Sequence, residues 1–169
     1  NLITYLGTGP VSVMGYSMGA RIAAFLCIDR PELVSAVVFG GLGINMVRGM
    51  RDNEKIVAGL LAPTLDDVED ATGRLFRRFA DHTGSDLKAL AACMQSGRDP
   101  ISEADVGQIN VPALVAVGSA DEVAGDPVEL VDLLPQGELC RIARRDHMRA
   151  TGDKMFKTAT LDFLARLTS

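Results

Sequence analysis

The sequence has only three cysteines and two histidines among its 169 residues, and no apolar stretch approaches the roughly 20 residues that cross a bilayer. The two histidines, His82 and His147, lie far apart and have no cysteine or glutamate at ligand spacing. A structural zinc site is therefore not expected. The cysteines show no C-x-x-C spacing, and Cys27 and Cys140 lie inside apolar stretches, which favours buried free thiols over disulfides. We expect a cytoplasmic protein with no metal site and no membrane contact.

Positive charge is also sparse. The 17 lysines and arginines are outnumbered by 22 acidic residues, which gives a net charge of −5. A nucleic-acid surface needs clustered basic residues, so no nucleic-acid partner is expected. Apolar residues make up 47% of the chain and charged residues 23%, which is typical of a globular domain.

Predicted strands and helices alternate along most of the chain. Apolar runs at residues 11–14, 34–39, 113–117 and 138–143 are the predicted strands. Predicted helices cover residues 2–6, 18–28, 128–134 and 153–167. This alternation of apolar strands with helices predicts an α/β fold, in which a mostly parallel sheet has helices on both faces.

Residues 44–109 depart from the alternation. The segment is richer in charge than its flanks, and it is longer than a crossover between two parallel strands needs. Two amphipathic helices are predicted within it, and their apolar faces carry Val68, Leu75, Phe76 and Phe79 in the first and Leu87, Leu90 and Met94 in the second. We expect residues 44–109 to form a helical cap or lid over the catalytic site, and residues 1–43 and 110–169 to form the core.

A serine lies between two glycines directly after the first predicted strand. Gly15-Tyr16-Ser17-Met18-Gly19 fits the pattern G-x-S-x-G, and the order of strand, turn and helix is the one that this motif requires. We expect side chains at both glycine positions to clash in so sharp a turn. The N-terminus of the following helix favours negative charge that develops during a reaction. Ser17 is the candidate nucleophile, although a small residue would also simply fit a tight turn.

A serine hydroxyl needs a base that removes its proton and an acid that orients the base. His147 follows the fourth predicted strand, at the edge of the sheet where parallel-sheet enzymes keep their chemistry. His82 lies in a polar part of the insertion and is expected to be solvated. Asp121, which follows the third predicted strand, is the candidate acid, but it could instead form an Asx turn. Asp126 and Glu122 remain alternatives for the acid.

Four ordered segments resemble the α/β-hydrolase superfamily, in particular its small cap-bearing serine esterases and C–C hydrolases. They are Val13-Met14-Gly15-Tyr16-Ser17-Met18-Gly19-Ala20-Arg21; Arg30-Pro31-Glu32-Leu33-Val34; Ile109-Asn110-Val111-Pro112-Ala113-Leu114 with Gly118-Ser119-Ala120-Asp121; and Asp146-His147 before Phe156 and Phe163-Leu164. The resemblance implies an α/β-hydrolase fold with Ser17 as nucleophile, Asp121 as orienting acid and His147 as base. It also implies that the backbone N–H of Met18 is one oxyanion donor.

The chain departs from the family at its start, because it has no counterpart of the family's first four strands or of the loop that supplies the second oxyanion donor. We therefore expect the carboxyl-terminal portion of a longer protein, beginning just before the nucleophile turn. Its expected partner is the missing N-terminal segment, in the same chain or as a separate one. The 169 residues alone are expected to be inactive.

These residues predict a hydrolase that cleaves an ester or similar acyl bond of a small molecule through an acyl-enzyme, with no cofactor. Candidate substrate contacts are Tyr16, Met46 and Met148. Thioethers adapt to varied apolar groups, so Met50 and Met94 join them as candidates, although plain packing is the alternative. The same scaffold leaves open a C–C bond hydrolase, a thioesterase, a perhydrolase and a catalytically silent binding protein.

Overall fold

The computed structural model describes residues 2–49, 53–96 and 100–167. Its sheet consists of four parallel strands, Val11–Tyr16 (β1), Val34–Gly40 (β2), Ala113–Gly118 (β3) and Gly137–Ile142 (β4), which are hydrogen-bonded in that order. Because all four strands run in the same direction, their carboxyl ends lie at the same end of the sheet. The predicted α/β class with a parallel sheet is confirmed, and every predicted strand is present with bounds close to those expected.

The helices in chain order are Leu2–Leu6 (α1), Met18–Asp29 (α2), Asn45–Arg48 (α3), Asn53–Leu61 (α4), Ala71–Thr83 (α5), Leu87–Gln95 (α6), Glu103–Val106 (α7), Pro127–Leu133 (α8), His147–Ala150 (α9) and Lys154–Leu167 (α10). Short 3₁₀ turns lie at Pro31–Leu33 and Leu65–Asp67. Among these described elements, no helix has the length and apolar content needed to span a membrane.

The middle strands β2 and β3 bury almost every residue, and alternate side chains point to opposite faces of the sheet. One face carries Val37, Phe39, Val115 and Val117, which pack against α2 and α8. The other face carries Ala36, Val38, Leu114 and Ala116, which pack against α9 and α10. Helices therefore cover both faces, as the continuous apolar runs of these strands predict.

Strand β1 lies at one edge of the sheet formed by the described residues. Its burial is partial, since Ser12 and Met14 are exposed and only Gly15 is fully buried. Four further apolar side chains of α1 and α2, those of Leu2, Tyr5, Leu6 and Ile22, are also more than half exposed. The region around β1 thus presents apolar surface to solvent.

The chain divides into two compact units, one made of Asn1–Gly49 with Pro100–Ser169 and the other of Met50–Asp99. The first contains the whole sheet. Both ends of the segment 44–109 also belong to it, and apolar side chains at those ends are buried in its core, namely Met46, Ile101, Val106 and Ile109. That the second unit acts as a lid over Ser17 stays a prediction.

The second unit is helical, as expected, and packs α4, α5 and α6 around Ile56, Leu60, Ala80 and Ala91. Helices α4 and α5 approach closely at Gly59 and Gly73, where a Cβ on Gly59 would lie 2.8 Å from the Gly73 backbone. Sequence periodicity missed α4 and misassigned two residues of the first amphipathic helix. Val68 precedes α5, and Phe79 is 44% exposed rather than buried.

Candidate active site

Ser17 lies in the turn between β1 and α2, with φ 54° and ψ −114°. A positive φ is strained for a residue other than glycine, and such strain is typical of a nucleophile turn. The Ser17 N–H donates to the carbonyl of Gly40 at 2.7 Å, which ties the turn to β2. A Cβ on Gly15 would lie only 2.1 Å from the carbonyl oxygen of Gly19, so the expected clash is present at Gly15. At Gly19 a Cβ would meet no atom within 4 Å in the described part of the chain, so the clash expected there is absent from it.

His147 is the first residue of α9 and is only 3% exposed. Asp146 caps this short helix by accepting hydrogen bonds from the N–H groups of Met148 at 3.1 Å and Arg149 at 2.8 Å. The cap fixes the direction of the first turn and hence of the imidazole. Nε2 of His147 lies 2.9 Å from Oγ of Ser17.

Asp121 lies in the loop after β3, and its side chain is fully buried. Oδ2 lies 2.8 Å from Nδ1 of His147, while Oδ1 accepts hydrogen bonds from the N–H groups of Val123 at 2.9 Å and Ala124 at 3.0 Å. The sequence left two interpretations of Asp121 open, an Asx turn and a partner of the histidine. Both are present, because Oδ1 forms the turn and Oδ2 contacts His147. Because a carboxylate oxygen accepts, Nδ1 donates to Asp121 and Nε2 is left to accept the proton of the Ser17 hydroxyl.

The arrangement brings a hydroxyl, an imidazole and a carboxylate into one hydrogen-bonded chain. This geometry allows proton removal from Ser17 as its oxygen attacks an electrophile. Met18 is the first residue of α2, so its backbone N–H lies at the positive end of a 12-residue helix directly beside Ser17. That position suits a donor to a developing oxyanion.

The alternative acids and the second histidine have other surroundings. Asp126 caps α8 through the N–H of Val128 at 2.8 Å, and it lies 3.9 Å from Arg141. Glu122 is exposed, and His82 is exposed in the last turn of α5. Only Asp121 among the three carboxylates considered contacts His147 in the described structure.

The candidate substrate contacts differ in their placement. Met46 is fully buried in the core of the first unit and offers no surface to a ligand. Met148 is half-buried beside His147, and Met50 lies outside the described residues. The hydroxyl of Tyr16 donates to the carbonyl oxygen of His147 at 2.6 Å. Tyr16 therefore contacts the backbone of the catalytic histidine candidate, and the sequence did not predict this contact.

Burial raises the pKa of the Tyr16 hydroxyl well above its usual range, and the negative charges of Asp121 and Asp146 add to that effect. A raised pKa keeps a phenol protonated at neutral pH. The hydroxyl therefore keeps the proton that it donates to the His147 carbonyl.

The loop before His147 is also held by the loop after β3, which sequence reasoning did not identify. Oγ of Ser119 accepts from the N–H of Arg144 at 2.8 Å, and the N–H of Ala120 donates to the carbonyl of Arg145 at 3.0 Å. Gly118 permits this approach, since a Cβ there would lie 2.1 Å from the same carbonyl oxygen. The only sequence signal was the small pair Gly118-Ser119 directly after an apolar strand.

Comparison with known proteins finds a clear sequence relative. The chain is 30% identical over 174 aligned positions to BpoC of Mycobacterium tuberculosis, whose name assigns it to the non-heme bromoperoxidases. The alignment covers 87% of this chain and 64% of BpoC, so the chain spans less than two thirds of the length of that relative. No family model matches the sequence.

Solved structures extend the likeness. The crystal structure of BpoC superposes with a TM-score of 0.72 and 25% identity, over 99% of this chain and 71% of that one. MenH from S. aureus gives a TM-score of 0.68 at 20% identity, over 99% and 74% of the two chains. The meta-cleavage product hydrolase CumD from Pseudomonas fluorescens gives 0.68 at 15% identity, over 98% and 68%. The last two likenesses concern the fold.

Proposed function

We propose that this chain, which has the fold of the α/β-hydrolases, belongs to that superfamily and carries the catalytic residues of a serine hydrolase that cleaves an ester or similar acyl bond. The observation that carries this proposal is the contact of Ser17 Oγ with His147 Nε2 at 2.9 Å, with Asp121 at 2.8 Å from the other ring nitrogen. This contact gives the nucleophile a base on one side and gives the base an orienting carboxylate on the other.

The proposed reaction begins when Ser17 Oγ attacks the carbonyl carbon of the substrate and its proton passes to Nε2 of His147. Asp121 stabilises the resulting imidazolium through Nδ1–H, and the N–H of Met18 donates to the oxyanion. The tetrahedral intermediate collapses as His147 returns the proton to the leaving alkoxide, which departs as the alcohol. Water then attacks the acyl-enzyme with His147 again as base, and the carboxylic acid and free Ser17 are regenerated.

The proposed activity belongs to the whole protein, since BpoC extends beyond the region matched by this chain. We propose that a further segment, in the same or a separate chain, pairs with the outer edge of β1 and supplies the second oxyanion donor. Met14 of β1 is 60% exposed and Ile22 of the following helix α2 is 61% exposed, and both are apolar surface that such a segment could cover.

A perhydrolase is a second candidate. It is favoured because BpoC is named a bromoperoxidase, which implies that hydrogen peroxide is one of its substrates. In that reaction hydrogen peroxide would attack the acyl-enzyme in place of water, and a peracid would leave in place of the carboxylic acid. The same Ser17, His147 and Asp121 would serve both reactions, because only the second nucleophile differs. The same three residues could also cleave a thioester or a C–C bond next to a carbonyl.

The cysteines support a reducing compartment, for which we propose the cytoplasm. Cys27 and Cys140 carry free thiols, and burial raises the pKa of the Cys27 thiol to about 11. Such a thiol stays protonated and is inert as a nucleophile at neutral pH.

The test is hydrolysis of p-nitrophenyl esters of increasing acyl length by the purified full-length protein, with and without hydrogen peroxide. Ser17→Ala should abolish p-nitrophenol release under both conditions. Ser35→Ala is the matched control, since Ser35 is an exposed serine of β2. Peracid formation in the presence of hydrogen peroxide that is lost in Ser17→Ala would support the second candidate. Full activity of Ser17→Ala would contradict both.

A further inference from the structure

Tyr16, which directly precedes Ser17, contacts the loop that carries His147. It is the last residue of β1 and directly precedes Ser17, while its hydroxyl donates to the main-chain carbonyl of His147 at 2.6 Å. The two residues are 131 positions apart in the sequence. A single side chain thus links the backbone next to the nucleophile to the backbone of the base.

The ring of Tyr16 is held as firmly as its hydroxyl. Its centroid lies 5.9 Å from that of Phe156 in an edge-to-face contact, and 5.5 Å from the His147 imidazole at an interplanar angle of 49°. Two successive glycines make room for it. A Cβ on Gly40 would lie 2.6 Å from the Tyr16 ring, and a Cβ on Gly41 would lie 2.5 Å from it.

We propose that Tyr16 is a positioning residue, which fixes the His147 imidazole at hydrogen-bonding distance from Ser17 by holding the His147 carbonyl and one side of its ring. This inference rests on the proposed function, which it deepens. Tyr16 acts through His147 and touches no reacting atom. It replaces the sequence-based expectation that Tyr16 contacts substrate.

The other hydrogen bonds of the loop around His147 are made to the residues before and after the histidine, whereas Tyr16 bonds to His147 itself. Ser119 and Ala120 hold the backbone of Arg144 and Arg145, which precede the histidine. Asp146 holds the residues that follow it. The contact from Tyr16 is made to the backbone of His147 itself, so its loss removes a tie at the residue that carries the imidazole, while the contact with Asp121 and the rest of the loop are kept.

Tyr16→Phe removes only the hydroxyl and keeps the ring against Phe156, so the fold is preserved. Loss of one neutral hydrogen bond that matters in the transition state corresponds to about a three- to tenfold decrease in rate. We expect kcat for ester hydrolysis to fall by that factor with KM unchanged, because substrate contacts are not altered. Tyr5→Phe is the matched control, since Tyr5 is 87% exposed in α1.

A second measurement does not depend on turnover. The proton shared by His147 Nδ1 and Asp121 gives a downfield NMR signal when the imidazole is held in place, and we expect Tyr16→Phe to broaden it through faster solvent exchange. The signal in Tyr5→Phe should match that of the unmodified protein.

The outcomes separate the two proposals. Broadening of the signal with a lower kcat supports the positioning role. Broadening in a protein that hydrolyses no ester supports the positioning of His147 and counts against the proposed function. Ser17-dependent hydrolysis with kcat and the signal both unchanged in Tyr16→Phe overturns the positioning role and leaves the proposed function standing. A lower melting temperature as the sole effect would also overturn it, because a purely structural role predicts that result.

Discussion

Gly15 is the position where one added methyl group should disrupt the site most directly. In Gly15→Ala the new Cβ would lie 2.1 Å from the Gly19 oxygen, 2.2 Å from the Gly19 carbonyl carbon and 2.6 Å from the Ala20 nitrogen. Real Cβ atoms essentially never approach other atoms within 3.0 Å. The backbone must therefore shift by about 0.9 Å, the difference between 3.0 and 2.1 Å.

That shift falls within the turn that carries the nucleophile. Ser17 is hydrogen-bonded to Gly40 through its backbone and to His147 through its side chain, so it cannot follow the displacement and keep both contacts. Misplacement of a reacting group by 1 Å costs on the order of a hundredfold in rate. Overpacking of this kind also destabilises a fold by about 1–3 kcal/mol.

The assay is kcat/KM for p-nitrophenyl ester hydrolysis, together with urea unfolding, in the purified full-length protein. Gly152→Ala is the control, because a Cβ there meets no described atom within 4 Å and the residue does not have a positive φ. We expect Gly15→Ala to lose about a hundredfold in activity and Gly152→Ala to keep it. Activity of Gly15→Ala within about threefold of the unmodified protein, a change worth only about 0.7 kcal/mol, would show that the added methyl group does not displace Ser17.

Two further predictions concern the carboxylate and the buried thiol. Asp121→Asn should reduce hydrolysis by up to about 10⁴-fold, because an amide does not stabilise the imidazolium and favours the wrong tautomer. Asp126→Asn should keep its activity, because an asparagine still caps α8 and only the charge near Arg141 is lost. Equal losses of kcat in the two variants would show that the acid is misassigned. Cys27, which is 3% exposed and whose pKa burial raises to about 11, should resist iodoacetamide in the folded protein at neutral pH and react after unfolding in urea. Peptide mapping of the alkylated protein would measure this, and rapid modification of folded Cys27 would contradict its described burial.

The sheet was predictable from sequence because β2 and β3 are buried on both faces, so their apolar runs carry the signal without knowledge of their neighbours. The positions of Ser17, Asp121 and His147 after three strands were predictable for a related reason, since the carboxyl ends of parallel strands share one edge. The contact between them depends on the loops, and only the structure places their side chains within hydrogen-bonding distance.

The features that sequence reasoning missed are tertiary. Tyr16 contacts a residue 131 positions away, and nothing in its local pattern separates a tyrosine that faces substrate from one that faces the histidine loop. Met46 follows a flexible glycine run but packs in the core. Helix α4 has too short an apolar repeat to stand out, and its packing on α5 through two glycines is visible only in three dimensions.

Covalent labelling tests most directly whether Ser17 is an activated nucleophile. A fluorophosphonate probe is incubated with the purified full-length protein, and the modified peptide is identified by mass spectrometry. We expect a single adduct on Ser17, formed at a much lower rate in Asp121→Asn because the base is no longer oriented. An adduct on a different serine, or ester hydrolysis that continues undiminished in the probe-treated protein while Ser17 stays unmodified, would contradict the assignment of Ser17 as the nucleophile.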